Sequence, residues 1–293
     1  MNLDDIDYTT GRVLTPTGAS VAYLTFGTGP RRMVYVPGIG DGLATADQSA
    51  RRLTHWLRER AKFFTILYVS RRDDLDARVM LSEHADDLIH VVETLDWGPA
   101  LLEAQSAGGP IGIIAAHKRP DLFPMLTLSS SAAWFEGVVT TQAHQWVELI
   151  RANDWLALFE SAAEFLWRDR RLAMLRSFGS VFSDLIKPKN PKRLEALFQG
   201  LRGVDLRELL PHLSVPTLVT AGEEDRLFAP YIQQEMASLI PTSTLVLAPG
   251  YGHGLDWEDP KHAERLAAFA RMHKALLTRA PDAQRAATRP HVP

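Results

Sequence analysis

The spacing of apolar residues along the chain changes repeatedly, and the changes predict strands that alternate with helices. Short unbroken apolar runs, such as Met33–Val36 and Phe63–Val69, are typical of strands buried on both faces of a parallel sheet. From Ala85 to Leu95 the apolar residues recur at helical spacing instead, and the Gly98–Pro99 pair ends that helix. This alternation indicates an α/β domain with a mostly parallel sheet.

Residues 134–210 lack strand patterns and predict several amphipathic helices. A stretch this long is rarely a bare loop, so we predict a helical cap over 134–210, inserted into an α/β core formed by 1–133 and 211–278. The last residues, 279–293, are rich in Ala, Pro and Arg without apolar periodicity, and we expect a disordered tail there.

Composition narrows the class of protein. The 293 residues include 32 Lys and Arg against 35 Asp and Glu, a net charge of −3, which disfavours a nucleic-acid partner. The absence of cysteine excludes disulfides, thiolate catalysis and Cys-ligated metal centres. An acidic start without an apolar segment predicts no secretory signal, and the lack of an 18-residue apolar run predicts no membrane span. We therefore expect a cytoplasmic protein.

The most informative segment, 104–108, joins a predicted strand to a predicted helix around Ser106. A nucleophile elbow needs small residues two positions before and two positions after its serine, because the turn is too tight for larger side chains. Ala104 and Gly108 meet that need, although the strict pattern has glycine at the first position. The structural alternative is a Gly-rich helix entrance that packs closely on the strand.

A serine nucleophile needs a base, and the base needs a carboxylate that orients it. His253 lies in a glycine-rich loop after one predicted strand, and Asp225 follows the preceding strand at its carboxyl end. The chain order Ser, Asp, His and the position of all three after strands favour a catalytic triad of Ser106, Asp225 and His253. Other acids near the expected positions are alternatives to Asp225: Glu223, Glu224 and Glu136.

An acyl-transfer site also needs N–H donors for the developing oxyanion. The glycine-rich loop 37–42 follows an early buried strand, so we predict the backbone N–H groups of Ile39 and Ala107 as the two donors. Asp41 in that loop is interpreted as a helix N-cap, with a substrate contact as the alternative. The charged segment 71–74 is interpreted as a solvated loop, with contact to an anionic substrate group as the alternative.

Four residues are candidates for the substrate pocket: Gln105, Trp134, Trp146 and Trp155. Gln105 precedes the predicted nucleophile, and Trp134 comes soon after the sixth predicted strand. For each tryptophan, packing between cap helices and the sheet is the alternative interpretation.

With these residues in place, the chain resembles the α/β-hydrolase superfamily over about residues 12–276. The resemblance rests on the Ser106 elbow, the loop 38–42, Asp225 and His253. It implies an eight-stranded, mostly parallel sheet, a helical cap after strand six and hydrolysis without a cofactor or a metal. Because serine is at the nucleophile position, we predict a serine hydrolase that cleaves a small, largely apolar ester, thioester or lactone.

Three other functions are alternatives to this prediction. A meta-cleavage-type hydrolase of C–C bonds uses the same three residues, and a binding protein on a hydrolase scaffold captures a small ligand without turning it over. A dinucleotide site at 38–42 is disfavoured because Leu43 stands where the third glycine belongs. The expected partner is a small-molecule substrate, and the sequence leaves the oligomeric state open.

Overall fold

The computed structural model describes residues 6–166 and 188–277. The predicted cap helices therefore fall partly, and the predicted disordered tail 279–293 wholly, outside the described residues. The described strands, in chain order, are β1 (Tyr8–Leu14), β2 (Ser20–Phe26), β3 (Arg31–Val36), β4 (Phe64–Arg72), β5 (Leu101–Gln105), β6 (Met125–Ser129), β7 (Thr217–Gly222) and β8 (Ser243–Ala248).

All eight strands join one sheet in the order β1-β2-β4-β3-β5-β6-β7-β8. β2 pairs antiparallel with β1 and with β4, whereas every pair from β4–β3 to β7–β8 is parallel. The carboxyl ends of the parallel strands consequently meet at one edge of the sheet. The prediction of an eight-stranded, mostly parallel α/β fold is confirmed.

The sheet separates two hydrophobic cores because alternate residues of a strand face opposite sides. In β3, Val34 and Val36 belong to one core, whereas Met33 and Tyr35 belong to the other. The central strands are apolar on both faces, as buried parallel strands require.

Helices cover both faces of the sheet. In chain order they are α1 (Ala50–Trp56), α2 (Arg58–Ala61), α3 (Leu81–Thr94), α4 (Gly109–Lys118), α5 (Val138–Ala152), α6 (Trp155–Leu166), α7 (Pro191–Gly200), α8 (Pro230–Leu239), α9 (Leu255–Glu258) and α10 (His262–Met272). Short 3₁₀ helices occupy Ile39–Gly42, Ser106–Gly108, Leu210–His212 and Lys274–Leu277. Within the described part of the chain, no helix is both long and apolar enough to cross a membrane.

Helices α5, α6 and α7 lie between β6 and β7, inside the segment predicted as a cap. Helix α7 reaches the loop after β3, where a Cβ on Gly42 would lie 2.7 Å from the side chain of Leu194. The division into a core and a cap at residues 134 and 210 stays a prediction.

Candidate active site

Ser106 lies at a sharp turn between β5 and α4, and its backbone has a φ of +49°. This left-handed conformation is costly for a residue with a Cβ, and it is typical of functional turns that the surrounding structure holds in place. The turn leaves Ser106 at the carboxyl end of β5, next to β3 and β6.

Two glycines permit the elbow to pack closely. A Cβ on Gly108 would lie 2.6 Å from the carbonyl oxygen of Val36, so only glycine lets the turn approach the end of β3. A Cβ on Gly112 would lie 2.4 Å from the methyl group of Ala104. The missing side chain in α4 thus makes room for alanine where the strict elbow pattern has glycine.

The loops after β7 and β8 are joined by backbone hydrogen bonds. The Glu224 N–H donates to the carbonyl of Tyr251 over 2.8 Å, and the Glu223 N–H donates to that of Ala248 over 3.1 Å. A Cβ on Gly222 would lie 2.1 Å from the Tyr251 carbonyl, so this contact also requires glycine. The pairing holds the loop that carries Asp225 against the loop that carries His253.

The structure brings Ser106, His253 and Asp225 into one line of hydrogen bonds. The Ser106 Oγ lies 2.9 Å from Nε2 of His253, and Nδ1 of the same ring lies 2.9 Å from Asp225 Oδ2. Asp225 Oδ1 accepts the backbone N–H groups of Leu227 and Phe228 over 2.8 and 2.9 Å. Because the carboxylate fixes the proton on Nδ1, Nε2 is left to accept the serine proton.

The alternative acids do not compete for this position. Glu223, Glu224 and Glu136 are all exposed, whereas Asp225 and His253 are 3% and 1% exposed. Burial by itself lowers the pKa of His253, but the charge and hydrogen bond of Asp225, with a smaller contribution from Asp256, raise it above its usual value. The imidazole of His253 is therefore a stronger base than that of a free histidine.

The two N–H groups predicted as oxyanion donors both belong to the first turns of 3₁₀ helices. Ile39 begins the helix Ile39–Gly42, and Ala107 is the second residue of Ser106–Gly108. N–H groups at the start of a helix have no carbonyl partner within it, so they remain available to a ligand. Gly38 binds the elbow directly, because its N–H donates to Gln105 Oε1 over 3.0 Å.

The prediction that segment 71–74 is a solvated loop is wrong at its first two residues. Arg71 and Arg72 end β4 and are each 7% exposed. Arg72 binds Asp87 through two hydrogen bonds of 2.7 and 2.9 Å. Arg71 instead donates to the backbone carbonyls of Gly38 and Ala107 over 3.1 and 3.0 Å. Charged side chains can be buried in a strand when hydrogen-bond and ion-pair partners compensate for the loss of water, and both arginines have such partners.

Asp41 is not the N-cap that its sequence position suggested. It lies inside the helix Ile39–Gly42 and is 0% exposed. Its Oδ2 accepts the Arg71 N–H over 3.0 Å and the Arg193 Nη2 over 2.8 Å. Arg193 belongs to α7, so this carboxylate joins the loop after β3 to the insertion.

A second buried cluster, on the other core face of the sheet, was not found from the sequence. Arg60 donates to Glu103 with two nitrogens, each 2.9 Å from a carboxylate oxygen, and its Nη2 lies 3.5 Å from Asp256 Oδ2. Burial raises the pKa of Asp256 to about 7, with Arg60 opposing this shift and Glu103 adding to it. The position of Asp256, three residues after His253, is the sequence signal that could have pointed to it.

A cavity of about 340 Å³ opens at Ser106 and His253. Its polar corner includes Asp256 and Gln105, so one predicted pocket residue lies on its wall. Apolar residues of α6 and α7 of the insertion also line the cavity: Leu158, Phe159, Ala162, Leu194 and Phe198. A volume of this order suits a small molecule with a largely apolar body.

The structure does not bring the three predicted tryptophans to this cavity. Trp134, Trp146 and Trp155 are 1%, 2% and 6% exposed and belong to the hydrophobic core. Trp146 packs on Phe198 with ring centroids 5.2 Å apart, and its indole N–H donates to Ser161. They occupy the packing positions that the alternative interpretation describes.

The chain is similar to known proteins in sequence and in structure. No family model matches the chain. The AB hydrolase superfamily protein YisY of Bacillus subtilis is 28% identical over 204 residues, which cover 63% of this chain and 70% of that protein. The Karrikin insensitive 2 receptor CA of Petunia hybrida is 28% identical over 171 residues, 55% of this chain and 61% of the receptor.

Among solved structures, MGS-M2, an alpha/beta hydrolase from a Medee basin deep-sea metagenome library, superposes with a TM-score of 0.76 at 17% identity. The match covers 94% of this chain and 100% of that structure, so the two proteins share the whole fold. The chain therefore has the α/β-hydrolase fold, and its sequence relatives include a protein named as a member of the AB hydrolase superfamily.

Proposed function

We propose that the protein is a serine hydrolase that cleaves a small, largely apolar carboxylic ester, thioester or lactone through an acyl-enzyme on Ser106. The observation that supports this most directly is the unbroken line of hydrogen bonds from Ser106 through His253 to Asp225. The line ends in a cavity large enough for a small ligand.

In the first half of the reaction, Ser106 Oγ attacks the substrate carbonyl while its proton passes to Nε2 of His253. Negative charge moves to the carbonyl oxygen, and the N–H groups of Ile39 and Ala107 stabilise it. The bond between the carbonyl carbon and the leaving oxygen or sulfur then breaks, and the leaving group takes the proton from His253. Asp225 stabilises the imidazolium that exists between these two proton transfers.

In the second half, water attacks the acyl-enzyme and gives a proton to the same nitrogen of His253. When the bond to Ser106 Oγ breaks, the carboxylic acid leaves and the proton returns to the serine oxygen. The raised pKa of His253 makes it an effective base, but it must be neutral to start either half.

The apolar wall supports the choice of substrate class. Residues of α6 and α7, including Phe159 and Phe198, line the same cavity as Ser106. They favour a hydrocarbon acyl or alcohol part, because burying it removes apolar surface from water.

The experiment is hydrolysis of p-nitrophenyl esters of graded acyl length, alongside acyl-thioesters and lactones, by the wild-type protein and Ser106→Ala. We expect turnover of at least one short or medium substrate, and a loss of roughly 10⁴-fold or more in Ser106→Ala with an unchanged melting temperature. The matched control is Ser130→Ala, which removes a neighbouring buried hydroxyl that has no hydrogen-bond partner among the described residues.

Equal turnover by Ser106→Ala and wild type would overturn the proposal. Release of a C–C cleavage product from a ring-opened dienone, without ester turnover, would favour the C–C hydrolase. Binding of an ester without turnover would favour a ligand-binding protein, the class to which the petunia relative belongs by its name.

A further inference from the structure

Each peptide that carries a candidate oxyanion donor is held at its opposite end by a buried side chain. The N–H of Ile39 shares its peptide group with the carbonyl of Gly38, which accepts a hydrogen bond of 3.1 Å from Arg71 Nη1. The N–H of Ala107 shares its peptide group with the carbonyl of Ser106, which accepts a hydrogen bond of 2.7 Å from Ser131 Oγ.

In a trans peptide, a hydrogen bond to the carbonyl group affects the N–H group at the other end. Its C=O and N–H bonds point in opposite directions in one plane, so fixing the carbonyl also fixes the direction of the N–H. A hydrogen bond accepted by the carbonyl also polarises the amide and strengthens its N–H as a donor, an effect that is larger away from water. Side chains on the carbonyl side can therefore act on the oxyanion without touching it.

Arg71 is held rigidly enough for this role. Its own N–H donates to Asp41 Oδ2 over 3.0 Å, and its second terminal nitrogen donates to the Ala107 carbonyl over 3.0 Å. One guanidinium thus ties the loop after β3 to the elbow after β5. A lysine, with a single ammonium group, lacks the planar fork that spans both carbonyls.

Ser131 is held by close packing. It is 0% exposed, and a Cβ on Gly109 would lie only 1.7 Å from its Oγ. The glycine at the start of α4 leaves the space that the hydroxyl occupies. Its neighbour Ser130 is equally buried, but its hydroxyl has no hydrogen-bond partner among the described residues.

We propose that Arg71 and Ser131 are positioning residues of the oxyanion hole, each fixing and polarising one of the two peptides whose N–H groups stabilise the transition state. This inference rests on the proposed serine-hydrolase function. It assigns a role in the reaction to the end of β4 and to the residue two positions beyond β6, neither of which carries a member of the candidate triad.

The test compares Ser131→Ala with Ser130→Ala, which deletes the same group one residue away, and adds Arg71→Lys. For each variant, kcat and KM are measured on the best p-nitrophenyl ester, with the rate of Ser106 labelling by a p-nitrophenyl alkylphosphonate and the melting temperature. The phosphonate is useful because its phosphoryl oxygen needs the same donors as the ester oxyanion.

We expect Ser131→Ala to lower kcat roughly 10-fold relative to Ser130→Ala, as for the loss of one hydrogen bond, with an equal KM. Its melting temperature should be lower by about 2–4 °C, because a buried hydrogen bond is lost with the hydroxyl. Phosphonate labelling should slow by a similar factor. Arg71→Lys should lower kcat by roughly 10²-fold, the order seen when an oxyanion donor is lost. If Arg71→Lys does not fold, the serine pair still decides the matter.

Equal kcat and equal labelling rates in Ser131→Ala and Ser130→Ala would overturn this inference alone, because wild-type turnover would still stand. A wild-type protein that neither cleaves esters nor reacts with the phosphonate at Ser106 would overturn the proposed function, and this inference with it. If the difference in kcat vanished when both variants were assayed well below their melting temperatures, it would reflect partial unfolding, and this would also overturn the inference.

Discussion

Two buried arginines belong to clusters on opposite faces of the sheet, and they differ in the charges around them. Arg71 shares a single carboxylate with another cation, because Asp41 Oδ2 lies 3.7 Å from Arg71 Nη1 and 2.8 Å from Arg193 Nη2. Arg60 is the reverse case, a single cation that faces the two carboxylates of Glu103 and Asp256. One cluster has an excess of positive charge and the other an excess of negative charge.

The pKa values follow this difference. Burial lowers the pKa of Arg71, and Arg193 lowers it further against the opposing effect of Asp41. Burial, with smaller contributions from Arg71, Arg72 and Arg193, lowers the pKa of His84 to about 3. In the other cluster, burial and Glu103 raise the pKa of Asp256 to about 7. In each cluster, the group that carries the excess charge is therefore harder to keep ionised, as the lowered pKa of Arg71 and the raised pKa of Asp256 show.

In the proposed reaction, the positive cluster lies near the developing oxyanion, and the negative cluster lies near the imidazole that becomes positively charged. The positive cluster contacts the carbonyls of Gly38 and Ala107, beside the predicted oxyanion hole. The negative cluster includes Asp256, whose charge helps to raise the pKa of His253. Because attack by Ser106 makes an oxyanion and an imidazolium, charges of this arrangement favour the transition state over the ground state.

The largest effect is expected from removing the cation of the negative cluster. Arg60→Met removes the guanidinium that faces both Glu103 and Asp256, and the contacts of Glu103 with Ser129 and His262 do not supply its fixed positive charge. The variant should lower the free energy of unfolding by about 3–5 kcal/mol. Denaturant unfolding monitored by circular dichroism measures this. Adding Glu103→Gln to the same chain should restore part of the loss, and no recovery in the double variant would contradict the charge explanation.

A smaller effect is expected from breaking the positive cluster. Asp41→Asn leaves Arg71 and Arg193 facing each other, and should lower the free energy of unfolding by about 2–3 kcal/mol, the range for charged hydrogen bonds. Because Arg71 loses its anchor, kcat should fall as well. The control is Asp47→Asn, whose pairing with Arg12 is partly exposed and should be worth only about 0–1 kcal/mol. Equal losses of unfolding free energy in Asp41→Asn and Asp47→Asn would show that the buried carboxylate contributes no more to stability than the partly exposed one.

The smallest effect is expected from Asp256→Asn, which removes a negative charge near His253. In wild type, kcat/KM should fall as pH drops through the pKa of His253, above its usual value of 6.5. In the variant this limb should move to lower pH, since Asp256 contributes to the raised pKa. A pH profile measured on one ester decides this, and an unmoved limb would count against the coupling.

Asp256→Asn should also change how the free energy of unfolding depends on pH. The pKa of Asp256 is raised by folding, so its contribution to stability is present below its unfolded pKa and is lost as pH rises through about 7. The free energy of unfolding of wild type should therefore decline relative to Asp256→Asn between about pH 4 and pH 8. Parallel curves for the two proteins would mean that Asp256 stays ionised throughout.

Much of the fold was predictable because local patterns suffice for it. Unbroken apolar runs such as Met33–Val36 are typical of strands buried in a sheet, and the small residues around Ser106 suit a tight turn. The pocket was less predictable. A buried tryptophan has the same sequence signature whether it lines a cavity or packs in a core, and Trp134, Trp146 and Trp155 pack.

The sequence by itself determined the alternation of strands and helices, the elbow at Ser106 and the placement of Asp225 and His253 after their strands. These depend on residues close in the chain, whose spacing and size are visible directly. Only the tertiary structure decided that Arg71 is buried against two backbone carbonyls and that Asp256 shares Arg60 with Glu103. The charge and hydrogen-bonding state of such groups depends on neighbours up to 196 residues away, as the contact of Arg60 with the Asp256 carbonyl shows.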